Sequence, residues 1–152
     1  ADLTDVFYIG GTKNGALLGE AVVILRDELK TDFRFMIKQR GAMMAKGWLL
    51  GIQFEELFQN NLFYDMARHG NDMAGRLREA IAGCGWSFAS DSRTNQLFPI
   101  FTHEVIRELA EDFSFEINQK TDEDHCCIRL VTSWATTEAG VGRFIETLRR
   151  LS

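Results

Sequence analysis

The sequence predicts a mixed α/β fold, and three observations support this prediction. Two short apolar runs early in the chain are bounded by glycines and rich in β-branched or aromatic residues, as buried strands are. From residue 27 onward, apolar residues recur at helical spacing. After residue 95, the pattern alternates strand, helix, strand, strand and helix. A chain of 152 residues with 45% hydrophobic content is long enough to bury such elements around one core or two small ones.

The first part of the chain is predicted to hold two strands and three helices. The strands are placed at residues 6–9 and 21–25, buried on both faces, and the first helix at about 27–40. A second helix, at about 42–67, is apolar on nearly all sides in its first half, which predicts burial in a larger domain or a subunit interface. The third helix is expected to end in a left-handed cap at Gly83 or Gly85.

A polar connector at residues 90–95 divides the chain into segments 1–89 and 90–152. The second segment is predicted to be a compact α+β unit. Its strands and helices are placed at residues 96–101, 103–112, 113–119, 126–133 and 137–151.

Charge and cysteine content exclude several classes of function. The 17 basic and 22 acidic side chains give a net charge of −5, which disfavours binding to nucleic acid or an anionic membrane surface. No apolar run approaches the roughly 20 residues of a membrane span. The cysteine count of three is odd, and the adjacent Cys126 and Cys127 suit neither a relaxed disulfide nor a zinc site. We therefore expect a cytoplasmic protein without a structural metal.

Residues 10–15, Gly-Gly-Thr-Lys-Asn-Gly, carry the strongest chemical signal. An amine attacks an aldehyde only when it is neutral, which desolvation in a pocket or a nearby positive charge favours. A lysine at the end of a buried strand can project into such a pocket, and flanking glycines let the backbone approach a planar cofactor. An exposed lysine in an ordinary β-turn is the alternative, because Lys-Asn-Gly is also common turn chemistry.

Residues 5–15 closely resemble the cofactor-lysine segment of low-specificity threonine aldolases, within the aromatic amino acid β-eliminating lyase group. The likeness continues at residues 19–23, 38–39 and 45–46, returns at 128–134, and so covers nearly the whole chain in the family's order. It implies part of the aminotransferase-like fold (fold type I), with residues 1–89 as the end of the large cofactor-binding domain and its linking helices. Residues 90–152 would then form the small C-terminal domain.

The resemblance also implies a cofactor, pyridoxal 5'-phosphate, and a role for each matching residue. Lys13 would be the Schiff-base lysine, and Thr12 would offer its hydroxyl to the cofactor phosphate. Lys38 matches a basic residue that reaches the phosphate of a neighbouring subunit. Arg129 matches the arginine that clamps the substrate carboxylate, a task suited to its planar fork of donors. Taken alone, Arg129 in an apolar strand could equally be ion-paired, and Lys38 could lie on a solvated helix face.

The implied reaction is the cleavage of threonine-like β-hydroxy-α-amino acids to glycine and an aldehyde. Family members place much of the cofactor site upstream of the lysine, so we expect this chain to be a fragment of a protein about twice as long and inactive alone. A homodimer or homotetramer is the expected assembly. The alternatives are a β-eliminating lyase or aminotransferase with the same cofactor, or a non-catalytic assembly module built on the apolar helix.

Overall fold

A computed structural model describes residues 2–152, so residue 1 of the predicted segment 1–89 lies outside the described residues. The chain forms two compact units, one ending at Asp65 and the other beginning at Met66. Strands and helices occur in both, as the predicted α/β class requires. The predicted division into segments 1–89 and 90–152 concerns the domains of a complete protein and stays a prediction.

The first unit opens with a two-stranded antiparallel ribbon. Strands β1 (Val6–Gly10) and β2 (Glu20–Ile24) pair along their whole length, with Val6 opposite Ile24. Both strands were predicted, but their burial on both faces is wrong within this chain, because exposed and half-buried residues alternate along them. The ribbon has only one partly covered face, as antiparallel pairs commonly do.

The helix predicted at residues 27–40 is shorter than expected. A single 3-10 turn, Asp27–Leu29, is followed by helix α1 (Phe33–Gln39). Between them, Asp32 adopts a left-handed backbone conformation with φ of 58°, which aspartate tolerates better than most residues. This residue interrupts the helical hydrogen-bond ladder despite the continuous apolar spacing.

The predicted limits of the second helix, residues 42–67, are also wrong. Residues 42–47 are not helical, and helix α2 (Trp48–Phe58) is separated from helix α3 (Leu62–Gly83) by one 3-10 turn. Asn60 and Asn61 have φ angles of 50° and 62°, which no α-helix accommodates. Within this chain α2 is not buried as predicted, and Trp48 is 64% exposed.

The second unit is built on strand β6. The strands that pair with it, all antiparallel, are β3 (Gln96–Leu97), β4 (Ile100–Thr102) and β5 (Glu116–Lys120), and β6 itself is His125–Val131. Helices α4 (His103–Leu109) and α5 (Glu138–Arg150) complete the predicted order of elements. The strand expected at residues 96–101 is divided into β3 and β4 because Pro99, between them, has no amide hydrogen for the ladder.

The core of the second unit lies on one face of this sheet. Cys126, Ile128 and Leu130 of β6 pack with buried residues of α3, α4 and α5. Because side chains alternate along a strand, Cys127 and Arg129 lie on the opposite face. At its C-terminal end, α3 closes as predicted, with Gly85 at φ of 84° and the Trp86 amide donating to the Ile81 carbonyl oxygen.

Within residues 2–152, none of the helices combines the length and the apolar composition that crossing a bilayer demands.

Candidate functional site

Lys13 lies in the loop that connects β1 to β2, residues 11–19, which we call the lysine loop. The loop is closed at its base by a hydrogen bond from the Gly11 amide to the Gly19 carbonyl oxygen, at 3.3 Å. Ala16 donates to the Gly11 carbonyl oxygen at 3.0 Å. A Cβ atom on Gly11 would lie 2.7 Å from the Cβ of Ala16, so only glycine fits there without a shift. The lysine is therefore held on a tight, internally bonded loop.

The end of the first unit supports the lysine loop. Gly11 faces the ring of Phe54, and Gly19, at φ of 96°, lies against Leu50, so α2 contacts the base of the loop. The Asn14 side chain donates to the Phe63 carbonyl oxygen at 2.8 Å. Hydrogen bonds and packing thus fix the loop backbone, while the side chain at position 13 remains free to move.

The side chains of Lys13 and Thr12 are exposed. Among residues 2–152, no hydrogen bond or ion pair engages the Lys13 amine, so it is available for chemistry. The described residues of its own unit leave Lys13 exposed and do not enclose it in the pocket that the sequence predicts. Enclosure of Lys13 therefore stays a prediction about the complete protein.

Lys38 lies on α1, where its side chain is exposed. It borders a depression of about 750 Å³ whose walls include Arg34, Met43, Met44 and Trp48. Arg34 and Lys38 are one helical turn apart and therefore on the same face of α1. The two cations at the edge of an apolar depression could hold an anionic group.

Arg129 lies on β6, directly opposite Glu116 of β5. Its Nη2 donates to the Glu116 carboxylate, and the two side chains are 38% and 71% exposed, respectively. The Nε atom of Arg129 is buried and has no hydrogen-bond partner among the described residues. A buried donor without a partner is unfavourable, and a shallow depression of about 310 Å³ adjoins this arginine. Arg129 is ion-paired, as the alternative interpretation expected, and its contact with a substrate carboxylate stays a prediction.

The predicted site residues fall in two groups. Lys13 and Thr12 are neighbours in the lysine loop, and Lys38 belongs to the same compact unit, whereas Arg129 belongs to the other. The roles given to all four stay predictions. Sequence reasoning missed Glu116. This residue and Arg129 lie on two consecutive predicted strands, and pairing those strands as a hairpin could have indicated the ion pair.

Within the described part of the chain, the cysteines and His125 are not grouped as metal ligands. Cys84, Cys126 and Cys127 are free thiols, and burial raises the pKa of Cys127. A hydrogen bond from His125 and the backbone amide of Asp124 lower the pKa of Asp122. Across residues 2–152, no three His, Cys, Asp or Glu side chains are grouped in a way that could hold a metal ion.

Comparison with solved structures defines the class of fold. The chain superposes on a Sphingomonas wittichii serine palmitoyltransferase with a TM-score of 0.66 at 10% identity, over 96% of this chain and 39% of that one. An identity this low shows the fold alone. The fold is part of the aminotransferase-like fold type I, the class of pyridoxal-phosphate enzymes that the sequence predicts.

Closer relatives specify the family. A Leishmania major threonine aldolase matches with a TM-score of 0.94 and 51% identity, over 99% of this chain and 44% of that one. The chain belongs to the threonine aldolase family, as the resemblance predicts. Low-specificity L-threonine aldolases of Pseudomonas sp. and Pseudomonas aeruginosa are 27% and 30% identical, over 95% and 70% of this chain. The chain spans only 41% and 29% of their lengths. None of the family models matches the chain.

Proposed function

We propose that this chain is the C-terminal part of a pyridoxal-phosphate-dependent carbon–carbon lyase that cleaves threonine-like β-hydroxy-α-amino acids to glycine and an aldehyde. The observation that carries the proposal is the match of 51% identity and TM-score 0.94 to a threonine aldolase, together with an unpaired lysine on a rigid loop. In the proposal, this chain alone is inactive because its relatives are more than twice as long.

The donor set of the first unit fits the cofactor. Lys13 supplies the primary amine that condenses with the cofactor aldehyde, and the hydrogen-bonded loop presents that amine from a fixed backbone. Thr12, the preceding residue, offers a hydroxyl to the phosphate. Lys38 supplies a cation for the phosphate held by a neighbouring subunit, and Arg34 borders the same depression. A fixed backbone favours attachment because little conformational freedom is lost when the amine reacts.

Arg129 would bind the α-carboxylate of the substrate. Its Nη2 is held by Glu116, and its Nε has no partner among the described residues, so Nε is a donor that a bound anion would satisfy. A charge-assisted hydrogen bond to a carboxylate would satisfy that donor. This assignment predicts that the arginine orients the amino acid and takes no part in proton transfer.

When bound, pyridoxal phosphate supplies an electron sink for the pair left on Cα as the Cα–Cβ bond breaks. The same lysine and carboxylate clamp would serve β-elimination or transamination. The products separate these reactions, since only aldol cleavage gives glycine and an aldehyde together.

The remaining expectations concern the complete protein. In the proposal, residues 1–89 belong to the large domain and its linking helices, and residues 90–152 form the small domain. Exposed apolar side chains on and around α2, such as Trp48 and Ile52, support association into a homodimer or homotetramer. The absence of a disulfide among the three described cysteines is compatible with a cytoplasmic location.

The experiment uses the full-length protein and measures glycine and acetaldehyde formed from L-threonine and L-allo-threonine, with and without added pyridoxal phosphate. We expect both products in equal amounts, dependence on the cofactor, and loss of activity in Lys13→Ala. Lys120→Ala, which alters an exposed lysine on β5, is the matched control and should keep full activity. Keto-acid or ammonia production without glycine would reject the aldol reaction in favour of the alternatives.

A further inference from the structure

The side chain of Gln53, on α2, makes two hydrogen bonds to the lysine loop. Its Oε1 accepts a hydrogen bond from the Leu17 amide at 2.7 Å. Its Nε2 donates to the Leu18 carbonyl oxygen at 3.4 Å and to the Leu49 carbonyl oxygen of its own helix at 2.9 Å. One side chain thus links α2 to two consecutive residues of the loop.

The chemistry of these contacts requires an amide. The Leu17 amide needs an acceptor, and the two carbonyl oxygens need donors, so the oxygen and the nitrogen of Gln53 each have a defined partner. A carboxylate of the same size would keep the acceptor but place negative charge against two carbonyl oxygens. An apolar residue of similar size would lose all three contacts.

Within the described part of the chain, Gln53 makes the only hydrogen bonds to Leu17 and Leu18 themselves. Leu17 and Leu18 are 87% and 45% exposed, so apolar packing does not hold them. The contacts of Gly11 and Gly19 with α2 fix only the base of the loop. Without Gln53, residues 17–18 would therefore be held only through their chain neighbours Ala16 and Gly19.

We propose that Gln53 is a positioning residue for Lys13. By fixing the segment four residues after the lysine, it restricts the loop to the conformation in which the amine meets the cofactor aldehyde. Gln53 touches neither cofactor nor substrate in this proposal, and it acts only through the loop backbone. The inference rests on the proposed function, because it assumes that Lys13 attaches the cofactor.

The test compares three variants of the full-length protein with the wild type. Gln53→Leu removes the tether, Gln53→Glu retains only the acceptor, and Gln59→Leu makes the same substitution at a nearby glutamine outside the lysine loop contacts. The first measurement is hydrogen exchange at the Leu17 amide. The second is the rate at which pyridoxal phosphate becomes attached to Lys13, trapped by borohydride reduction and located by mass spectrometry. Neither depends on turnover of an amino acid.

Two or three lost hydrogen bonds, at about 1 kcal/mol each, correspond to about 30- to 160-fold in a rate or an equilibrium. We expect Gln53→Leu to accelerate Leu17 exchange and to slow cofactor attachment within that range. Gln53→Glu should fall between Gln53→Leu and the wild type, and it supplies the comparison if Gln53→Leu does not fold. Gln59→Leu should match the wild type in both measurements.

The outcomes separate this inference from the proposed function. If wild-type Lys13 acquires the cofactor and Gln53→Leu acquires it at the same rate, the positioning role is overturned and the proposed function stands. Equal slowing in Gln59→Leu would also overturn it, because the effect would then not be specific to the tether. If wild-type Lys13 acquires no cofactor, the proposed function fails and the positioning role with it.

Discussion

Adding one methyl group at Gly11 should disrupt the lysine loop, whereas adding it at the preceding residue should not. The Cβ of Gly11→Ala would lie 2.7 Å from the Cβ of Ala16 and 3.0 Å from the Cζ of Phe54. Both distances are well below the roughly 3.5–4.0 Å at which carbon atoms attract each other. In Gly10→Ala, the added atom would have no neighbour within 4 Å. Both variants therefore lower the conformational entropy of the unfolded chain by a similar amount, and only Gly11→Ala adds a steric clash to the folded chain.

The magnitude follows from this comparison. Overpacking of a tight site costs about 1–3 kcal/mol, while a glycine-to-alanine change at a compatible position stabilises by about 0.4–1 kcal/mol. We expect Gly10→Ala to be neutral or slightly stabilising, and Gly11→Ala to be less stable than Gly10→Ala by about 1–3 kcal/mol. Because Ala16 is the closer neighbour, Gly11→Ala should cost at least about 1 kcal/mol less in an Ala16→Gly background.

Urea unfolding of the full-length variants measures these differences, and cofactor attachment at Lys13 measures their effect on the loop. Gly11→Ala should lower both stability and attachment, and Gly10→Ala should leave attachment unchanged. Equal stabilities for the two alanine variants, or no relief from Ala16→Gly, would refute the reasoning that the loop is closed around Gly11.

Three further predictions concern other parts of the chain. Arg129→Ala should weaken amino-acid binding by about 2–4 kcal/mol, if the carboxylate pair is desolvated, while cofactor attachment persists; unchanged affinity in a spectral titration would rule out the clamp. With iodoacetamide under native conditions, Cys84 should be alkylated first, because Cys126 and Cys127 are buried and burial raises the pKa of Cys127. Peptide mapping identifies the cysteine that is labelled first, and early labelling of Cys127 would contradict the fold of β6. The lowered pKa of Asp122 stabilises the fold above the ordinary value of 3.8, and this contribution is lost as pH falls through the folded-state value. Asp122→Asn should therefore reduce stability near neutral pH and flatten its decline as the pH falls below the ordinary value of 3.8. An identical acid profile would show that the His125 contact is not formed in solution.

The sequence predicted the types of element better than their limits. Apolar runs bounded by glycines identified both strands of the ribbon, although they wrongly predicted burial on both faces. The order of strand and helix patterns identified the elements around β6. The helix breaks at Asp32 and Asn60 left no trace in these patterns. Their left-handed conformations depend on how the neighbouring segments pack, which spacing does not encode.

Some residues of the candidate site could be identified from the sequence, and others only from the folded chain. Lys13 could be identified because the strand, the glycines and the lysine are contiguous, and Arg129 because it stands in a segment that resembles a family. Gln53 could not be identified, since its partner Leu17 lies 36 residues away and only the folded chain brings the two together. The sequence also could not show that the Nε of Arg129 has no hydrogen-bond partner among the described residues, because this depends on the three-dimensional surroundings of the side chain.

The most direct test of the account is to reduce the full-length protein with borohydride in the presence of pyridoxal phosphate and to map the labelled peptide. The account predicts one pyridoxyl group per chain, carried by the amine of residue 13, and none in Lys13→Ala. A label on another lysine, or an unlabelled protein at saturating cofactor, would contradict it.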